Sequence, residues 1–262
     1  MNDVDLARHA HLNMVEAFAS LASHQPGGFL RRTEGVVVAA TGSPFALFNE
    51  VLPVEEDVDA GALIEAVEEV RAAGLSFRVQ LRERTDDQLL PVVHELGLEE
   101  DAGASWPAMI LSAMLTATSH PEKGLRIALV EDKAGFEQFV RLGAGLGGVS
   151  PDLYATWLPE AILDDPAWGL FIGYEADAPV TMSMSFHADG VAGVYNVGTA
   201  VPARRRGYGW AMTLAAIMAG ANAGCTISTL QSSTMAMSIY EAHGFRTLYR
   251  YRAFREPTNA TA

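Results

Sequence analysis

Apolar residues recur at helical spacing near the start of the chain and then group into short runs separated by turn signals. Residues 6–21 carry apolar side chains every three or four positions, which predicts a helix. Residues 36–40 form an apolar run with β-branched side chains, which predicts a buried strand. The same reasoning extends the first half with strands over 45–52, 76–81 and 109–115 and with helices over 59–73 and 86–96.

The second half repeats this alternation. It predicts strands over 125–130, 168–174, 180–186, 191–199, 225–230 and 245–254, and helices over 133–146, 151–163, 208–223 and 233–243. A polar, turn-rich stretch at 119–124 predicts a boundary between a domain of residues 1–118 and one of residues 124–262. The predicted fold class is α/β (α+β), with a mixed, mostly antiparallel sheet flanked by helices.

Charge distinguishes the two halves. The chain has a net charge of −14, which argues against a nucleic acid partner because phosphate contacts need clustered Lys and Arg. Residues 1–118 carry 7 basic and 19 acidic side chains, whereas residues 119–262 carry 11 and 13. The second half therefore keeps the positive charge that an anionic ligand needs.

Several features favour a cytoplasmic protein that does not insert in a membrane. The first residues are polar, without the pattern of a signal peptide, and no apolar run is long enough to span a bilayer. Cys225 is the single cysteine, so we expect no intrachain disulfide, and its apolar surroundings predict a core position. No His, Cys or Asp cluster has metal-ligand spacing, so no metal is expected.

The loop of residues 204–209 has the chemistry of a phosphate site. It follows a predicted strand and leads into a predicted helix, whose first N–H groups are unpaired and carry partial positive charge. Gly207 and Gly209 allow close approach of the backbone to a ligand. Arg204, Arg205 and Arg206 add donors that match phosphate geometry.

Three motifs in this half, taken together, resemble the GNAT family of N-acetyltransferases. The pattern Arg204-x-x-Gly207-x-Gly209 matches the family's R-x-x-G-x-G/A signature. Residues 197–199 lie where the family's fourth strand splays open. Residues 233–245 are similar to its N-x-x-A-x-x-x-Y-x-x-x-G-F segment, with Ser233 in place of the usual Asn. The resemblance covers residues 125–255 in element order.

This resemblance implies a GNAT fold and an acetyl-CoA-dependent transfer of an acetyl group to a primary amine, by direct attack in a ternary complex. It implies that Tyr240 is the acid that protonates the leaving thiolate. The residues expected to bind acetyl-CoA, the co-substrate, are Val197, Gly198, Thr199, Arg204, Arg205, Arg206, Gly207, Tyr208, Gly209, Trp210 and Ser233. Backbone N–H groups near residues 197–199 would stabilise the oxyanion.

The general base stays open at this point. Glu175 and Asp177 lie in a predicted hairpin turn, and His187 ends a predicted strand. Tyr195 and Asn196 lie on the central strand and could orient the amine. A base acting through water would leave no mark in the sequence.

The first half is expected to be a degenerate copy of the same fold. Phe48-Asn49 before Pro53 repeats Tyr195-Asn196 before Pro202, so two tandem copies are expected. Four acidic residues stand at 55–59, where a pyrophosphate would have to bind, and they would repel it. This half would then form a wall of the acceptor cleft without a CoA site.

Other readings of the sequence stay open. The chain could be a non-catalytic acyl-CoA-binding sensor, or a structural α/β protein without affinity for CoA. The acceptor, a small molecule or a peptide amine, is not specified, and neither is the acyl length. A homodimer is possible, because the last predicted strand lacks the further strand usual in the family. Its partner could come from residues 109–115 or from a second chain.

Overall fold

The computed structural model describes residues 1–33, 35–112 and 124–257 of the chain. These residues form two compact units, and each unit is made of two separate segments. The C-terminal unit comprises Met1–Asn13 and Ala108–Leu248. The N-terminal unit comprises Met14–Pro107 and the chain from Tyr249 onwards. Residues 119–123 of the predicted boundary lie outside the described part of the chain.

The elements alternate between strands and helices along the chain. The helices are α1 Asp3–His24, α2 Ala60–Ala72, α3 Leu90–Glu95, α4 Lys133–Gly147, α5 Pro151–Ala155, α6 Tyr208–Asn222 and α7 Met237–Ala242. The strands are β1 Phe29–Thr33, β2 Val36–Ala40, β3 Asn49–Pro53, β4 Arg78–Arg82, β5 Glu99–Glu100, β6 Pro107–Leu111, β7 Leu125–Leu129, β8 Trp168–Glu175, β9 Ala178–Ala188, β10 Val191–Thr199, β11 Ile227–Gln231 and β12 Arg246–Arg255.

The sheet of the N-terminal unit has the order β1-β2-β3-β4-β12, and β5 also pairs with β12. All of these pairs are antiparallel except β3 with β4, which are parallel and joined through α2. Val38, Val51 and Val79 pack with α2 and α3 residues in one buried cluster. Burial of this apolar face is the main force that holds the unit together.

The sheet of the C-terminal unit has the order β7-β8-β9-β10-β11-β6. Again one pair is parallel, β10 with β11, and it is joined through α6. A Cβ on Gly220 of α6 would lie 2.2 Å from the Cβ of Ala192, and one on Gly193 would lie 2.1 Å from Asn13 Oδ1. Because successive side chains of a strand point to opposite faces, α6 and the start of α1 cover opposite faces of β10.

Each unit takes its last strand from the other half of the sequence. Strand β6 comes from the first half and pairs with β11 of the C-terminal unit, with Met109 opposite Leu230. Strand β12 comes from the second half, and its residues 251–254 pair with β4 of the N-terminal unit. This exchange is the reason that the units differ from the predicted segments 1–118 and 124–262. Strand β6, from residues 107–111, is therefore the strand of the first half that pairs with the second half.

The predicted fold class, a mixed and mostly antiparallel sheet flanked by helices, is confirmed, with local differences. Strand β1 was not predicted, since its central residues are two exposed or half-buried arginines. Residues 46–48 form a 3₁₀ turn before β3. The predicted helix over 233–243 is limited to α7, after a turn. Helix α5 ends at Ala155 instead of reaching 163. No helix in the described ranges is long and apolar enough to cross a membrane.

Asn13 joins helix α1 to the sheet of the C-terminal unit. Its Nδ2 donates to the carbonyls of Phe186 and Val191 at 3.3 and 3.1 Å, and its Oδ1 accepts from the Tyr195 hydroxyl at 2.7 Å. The side chain is buried. Nothing in the sequence marked this asparagine, because its partners lie more than 170 positions away.

We expect Asn13→Ala to lower the free energy of unfolding by about 2 kcal/mol, because it leaves buried polar groups without partners. Urea unfolding of the full chain measures this. Asn222→Ala, at the exposed end of α6, is the matched control and should change stability by less than about 0.5 kcal/mol. Equal effects of the two substitutions would contradict the role assigned to Asn13.

Candidate functional site

The loop between β10 and α6 exposes a helix N-terminus. After a 3₁₀ turn at Val201–Ala203, Arg205 and Gly207 both take left-handed conformations, with φ of +64° and +79°. Gly207 is the N-cap of α6 and provides no side-chain acceptor. The first N–H groups of this 15-residue helix are therefore available to an anion.

Helices α2 and α4 are each capped by a carboxylate. Asp59 accepts from the backbone N–H of Ala62 at the start of α2, at 3.2 Å. Asp132 accepts from Gly135 at the start of α4, at 2.8 Å. The N-terminus of α6 thus differs from those of α2 and α4 in lacking a negative side chain.

The three arginines of the loop have different partners. Arg204 Nε donates to the carbonyl of Thr199 at 3.0 Å, which joins the loop to the end of β10. Arg206 forms an ion pair with Glu175 and donates to the carbonyl of Pro202. Arg205 is exposed and has no hydrogen-bond or ion-pair partner in the described part of the chain. Arg205 therefore carries the least compensated positive charge of the loop.

Glu175 organises the loop instead of standing in a free hairpin turn. In addition to Arg206, its Oε1 accepts from the Tyr208 hydroxyl at 3.4 Å. The ring of Tyr208 is buried with Leu125 and Ala203. Glu175 therefore fixes the start of α6, and its carboxylate is occupied by two donors, which argues against a role as the general base.

Strand β10 separates from its neighbours beside this loop. Its parallel pairing with β11 covers Val191 to Val194 only. Against β9, the register advances three residues from Tyr195 to Gly198 while β9 advances two, which is a β-bulge. Asn196 in the bulge has a φ of +51°. The backbone of residues 195–199 therefore runs on without a β11 partner, and it includes residues 197–199, where the resemblance implied an opened strand.

The predicted contact residues on β10 are held in different ways. Thr181 Oγ1 donates to the carbonyl of Gly198, and lies 2.8 Å from the hydroxyl of Thr199. A Cβ on Gly198 would lie 2.7 Å from the end of the Leu146 side chain of α4, so a larger residue there would displace that side chain. Val197 packs against the core cluster formed by α6, α7 and the sheet.

Tyr240 lies in that same core cluster. Its side chain is 8% exposed and packs edge-on against Phe245, with ring centroids 5.7 Å apart. Burial raises the pKa of Tyr240, and a hydrogen bond with Thr213 partly offsets this. Thr213 in turn donates to the carbonyl of Gly209, at the start of α6. The phenol is therefore neutral and connected to the helix of the phosphate loop, although it is largely enclosed.

Trp210 packs against another ring, whereas Ser233 is exposed to solvent. Trp210 stacks on His243 of the segment after α7, with ring centroids 3.7 Å apart and an interplanar angle of 20°. Ser233 is exposed in the turn before α7, where its carbonyl accepts from the N–H groups of Ala236 and Met237. Ser233 therefore begins the turn, and its side chain faces solvent.

His187 and Cys225 do not have the environment of reactive groups. Both ring nitrogens of His187 are buried without a partner, and the ring lies near Gly220 of α6. Burial lowers the pKa of His187, so the imidazole is neutral at pH 7. Burial raises the pKa of the Cys225 thiol, so it stays protonated. His187 is thus a half-buried, neutral side chain.

Because the pKa of His187 is lower in the folded than in the unfolded chain, the unfolded chain binds more protons below about pH 6.5. We therefore expect stability to fall as pH drops from about 6.5 to 5. His187→Phe should reduce this acid sensitivity, measured as melting temperature against pH. A wild-type pH profile that His187→Phe leaves unchanged would contradict this assignment.

The corresponding strand–loop–helix of the N-terminal unit is closed by its own side chains. Arg82 and Asp86 form a buried ion pair, and Arg82 also donates to the carbonyl of Glu55 in the loop after β3, at 2.9 Å. Asp59 caps the helix that follows. A guanidinium thus holds the loop after β3, and a carboxylate caps α2.

A buried polar cluster adjoins this ion pair on β3 and β4. Glu50 Oε1 accepts from Arg78 at 2.6 Å and from Gln80 at 3.0 Å. The guanidinium of Arg78 lies over the ring of Trp106, 5.0 Å from its centroid. Desolvation raises the pKa of Glu50 despite these donors. The polar face of β4 is therefore filled by protein groups.

Comparison with known proteins bears on the fold. No protein-family model and no curated protein sequence matches the chain. A GCN5-related N-acetyltransferase from Kribbella flavida is similar in structure, with a TM-score of 0.70, 19% identity and coverage of 96% of both chains. A GCN5-related N-acetyltransferase from Sphaerobacter thermophilus has a TM-score of 0.55 and 14% identity, covering 85% of this chain and 76% of its own.

A tandem GNAT protein from the clavulanic acid biosynthesis pathway, in a structure without AcCoA, is also similar. It has a TM-score of 0.60 and 10% identity, covering 90% of this chain and 82% of its own. The C-terminal unit has a mixed sheet with one parallel pair, a bulge in β10 and an uncapped helix beside it. These features place the unit in the α/β class of folds. The particular fold is that of the GCN5-related N-acetyltransferases, as the sequence predicted.

Proposed function

We propose that the chain is a GNAT-family enzyme, an acetyl-CoA-dependent N-acetyltransferase that acetylates a primary amine. The observation that carries this proposal is the uncapped N-terminus of α6, with its left-handed Gly207 and exposed Arg205, beside the opened β10. Unpaired N–H groups, helix dipole and guanidinium together match a pyrophosphate. The residues predicted from the sequence to bind acetyl-CoA lie on this loop, in the first turn of α6, on β10 and in the turn before α7.

The chemistry asks little of the protein beyond positioning. The neutral amine attacks the thioester carbonyl, the C–N bond forms and the C–S bond breaks. The thiolate takes a proton, and the amine nitrogen gives one up to solvent. Tyr240 is the proposed acid, because burial raises the pKa of its phenol and so keeps it neutral. N–H groups of β10 left without a strand partner would stabilise the oxyanion.

One observation favours the alternative of a non-catalytic acyl-CoA sensor. Tyr240 is largely enclosed in the core cluster, where its ring packs edge-on against Phe245. A tyrosine with only a packing role would have this environment. Such a protein would bind acetyl-CoA through the same loop and transfer nothing.

Two measurements on the wild-type chain separate these functions. Millimolar acetyl-CoA should raise the melting temperature, because a ligand that binds only the folded state stabilises it. Release of free thiol from acetyl-CoA should depend on an added amine from a broad panel. Binding without amine-dependent thiol release would support the sensor, and no stabilisation by acetyl-CoA would exclude both. Cytoplasmic location and a homodimer stay predictions.

A further inference from the structure

The bulge in β10 puts one polar side chain in an unusual backbone conformation. Asn196 has a φ of +51°, a region that asparagine enters more readily than most residues but that still strains the backbone. It is exposed, whereas Val194 two positions earlier is buried. Strained polar residues that the surrounding fold holds in place are often found at ligand sites. The bulge therefore presents the Asn196 amide at the opening of β10.

The Asn196 amide is held in one orientation. Its Nδ2 donates to the Tyr154 hydroxyl at 2.5 Å and lies 3.7 Å from the sulfur of Met184. Because the amide nitrogen is held by these two partners, the carbonyl oxygen Oδ1 points away from them. In the described part of the chain, Oδ1 has no hydrogen-bond donor. An acceptor with a fixed direction is thus available to a ligand.

Tyr154 is itself rigidly placed by α4 and α5. Its ring is 6% exposed, packs edge-on against Trp157 at 4.9 Å and covers Gly143. A Cβ on Gly143 would lie 2.3 Å from the ring, so glycine there makes room for the tyrosine. The hydroxyl position is therefore set by packing and not by Asn196.

On the basis of the proposed function, we infer that Asn196 Oδ1 holds the acceptor amine, that Tyr154 is its positioning residue, and that the acceptor is a weakly basic amine. An amide oxygen accepts an N–H bond without the negative charge that would favour the protonated ammonium form. The partners of Asn196, Tyr154 and Met184, are also uncharged. An α-amino group, with a pKa of about 8, supplies the neutral form at pH 7 far more readily than an alkylamine, with a pKa of about 10.4.

The first arm of the test identifies the amine. Wild-type chain is assayed at pH 7 by thiol release, with α-amino amides and with the alkylamines that carry the same side chains. We expect kcat/KM to favour the amides by about 100-fold, in line with their larger neutral fraction. We also expect this ratio to shrink as the pH approaches 10. Equal or better use of the alkylamines at pH 7 would overturn the inferred amine class.

The second arm tests Asn196 and Tyr154 by substitution, with the α-amino amide that gives the highest kcat/KM as the substrate. Asn196→Gly keeps the left-handed backbone while it removes the side-chain amide. It should raise KM for the amine about 10-fold, with kcat changed less than about threefold. Tyr154→Phe keeps the ring but removes the hydroxyl that holds the Asn196 side chain, and it should raise the KM for the amine by a smaller factor. The dissociation constant for acetyl-CoA, from titration calorimetry, should stay within about twofold in both variants.

Tyr174→Phe is the matched control, because its hydroxyl binds Gln138 elsewhere in the same unit. It should leave both constants unchanged. An unchanged KM for the amine in Asn196→Gly would overturn the inference while leaving the proposed function intact. An equal loss of acetyl-CoA affinity would also overturn it. If the wild type binds acetyl-CoA and acetylates no amine, the proposed function fails first and the inference fails with it.

Discussion

Gly207→Asp should weaken acetyl-CoA binding by at least about 100-fold and leave the fold in place. Gly207 is the N-cap of α6 at a φ of +79°, which disfavours any side chain by about 1–2 kcal/mol. A carboxylate there, however, accepts from the free N–H groups of the first turn, which returns about 1 kcal/mol. It then stands where the pyrophosphate has to bind and repels it. The two opposing terms nearly cancel, so stability should change little.

Titration calorimetry with acetyl-CoA, together with the melting temperature of each variant, measures both parts of this expectation. Gly209→Ala is the matched control, since a Cβ there would have Thr199 Oγ1 as its nearest atom, at 3.9 Å. It should keep acetyl-CoA affinity within about threefold, and it favours the helix by up to about 1 kcal/mol. Undiminished binding in Gly207→Asp would show that the loop is not the phosphate site. Arg204→Glu should also abolish binding.

Tyr240→Phe should lower kcat about 100-fold or more, while the dissociation constant for acetyl-CoA stays within about twofold. The variant keeps the ring that packs against Phe245 and removes only the proton donor. Thr213 retains its bond to the carbonyl of Gly209, so the stability loss should be about 1 kcal/mol. Because burial raises the pKa of Tyr240, the wild-type enzyme should stay active at a pH where an ordinary phenol begins to ionise.

Amine-dependent thiol release gives kcat, and its pH profile tests the state of the phenol. Tyr249→Phe is the control, because this half-buried tyrosine of the N-terminal unit is also hydrogen-bonded, to Tyr251. It should leave kcat unchanged. If Tyr240→Phe retains full turnover, Tyr240 is a packing residue, and another group or solvent protonates the thiolate.

Local patterns predicted most of the elements. Glycines at the ends of helices, such as Gly74, Gly97 and Gly148, take positive φ and stop each helix where the sequence indicated. Strand β1 escaped prediction because its arginines face solvent or pair with glutamates, so the strand has little apolar signal. The predicted start of the helix over 233–243 was wrong, because residues 234–236 form a turn and the helix begins at Met237.

Some parts of the candidate site could likewise be predicted from the sequence, and others could not. The loop of residues 204–209 could be predicted, because its charge, glycines and adjacent helix are contiguous in sequence. The bulge at Asn196 could not, because a positive φ in the middle of a strand leaves no periodic mark. Asn13 and Tyr154 gain their meaning only from partners 182 and 42 positions away. The closing of the N-terminal unit by Arg82 and Asp86 likewise depends on the folded chain.

The exchange of final strands sets an order of events on the ribosome. The N-terminal unit lacks its β12 residues until almost the whole described chain has been synthesised, so its sheet stays with an exposed β4 edge for most of translation. In the C-terminal unit, β6 is synthesised about 120 residues before its partner β11. Both sheets therefore close late and through long loops, which slows folding and exposes strand edges to aggregation. Expression of either half alone should give an insoluble product, and slower translation should make demand for chaperones greater.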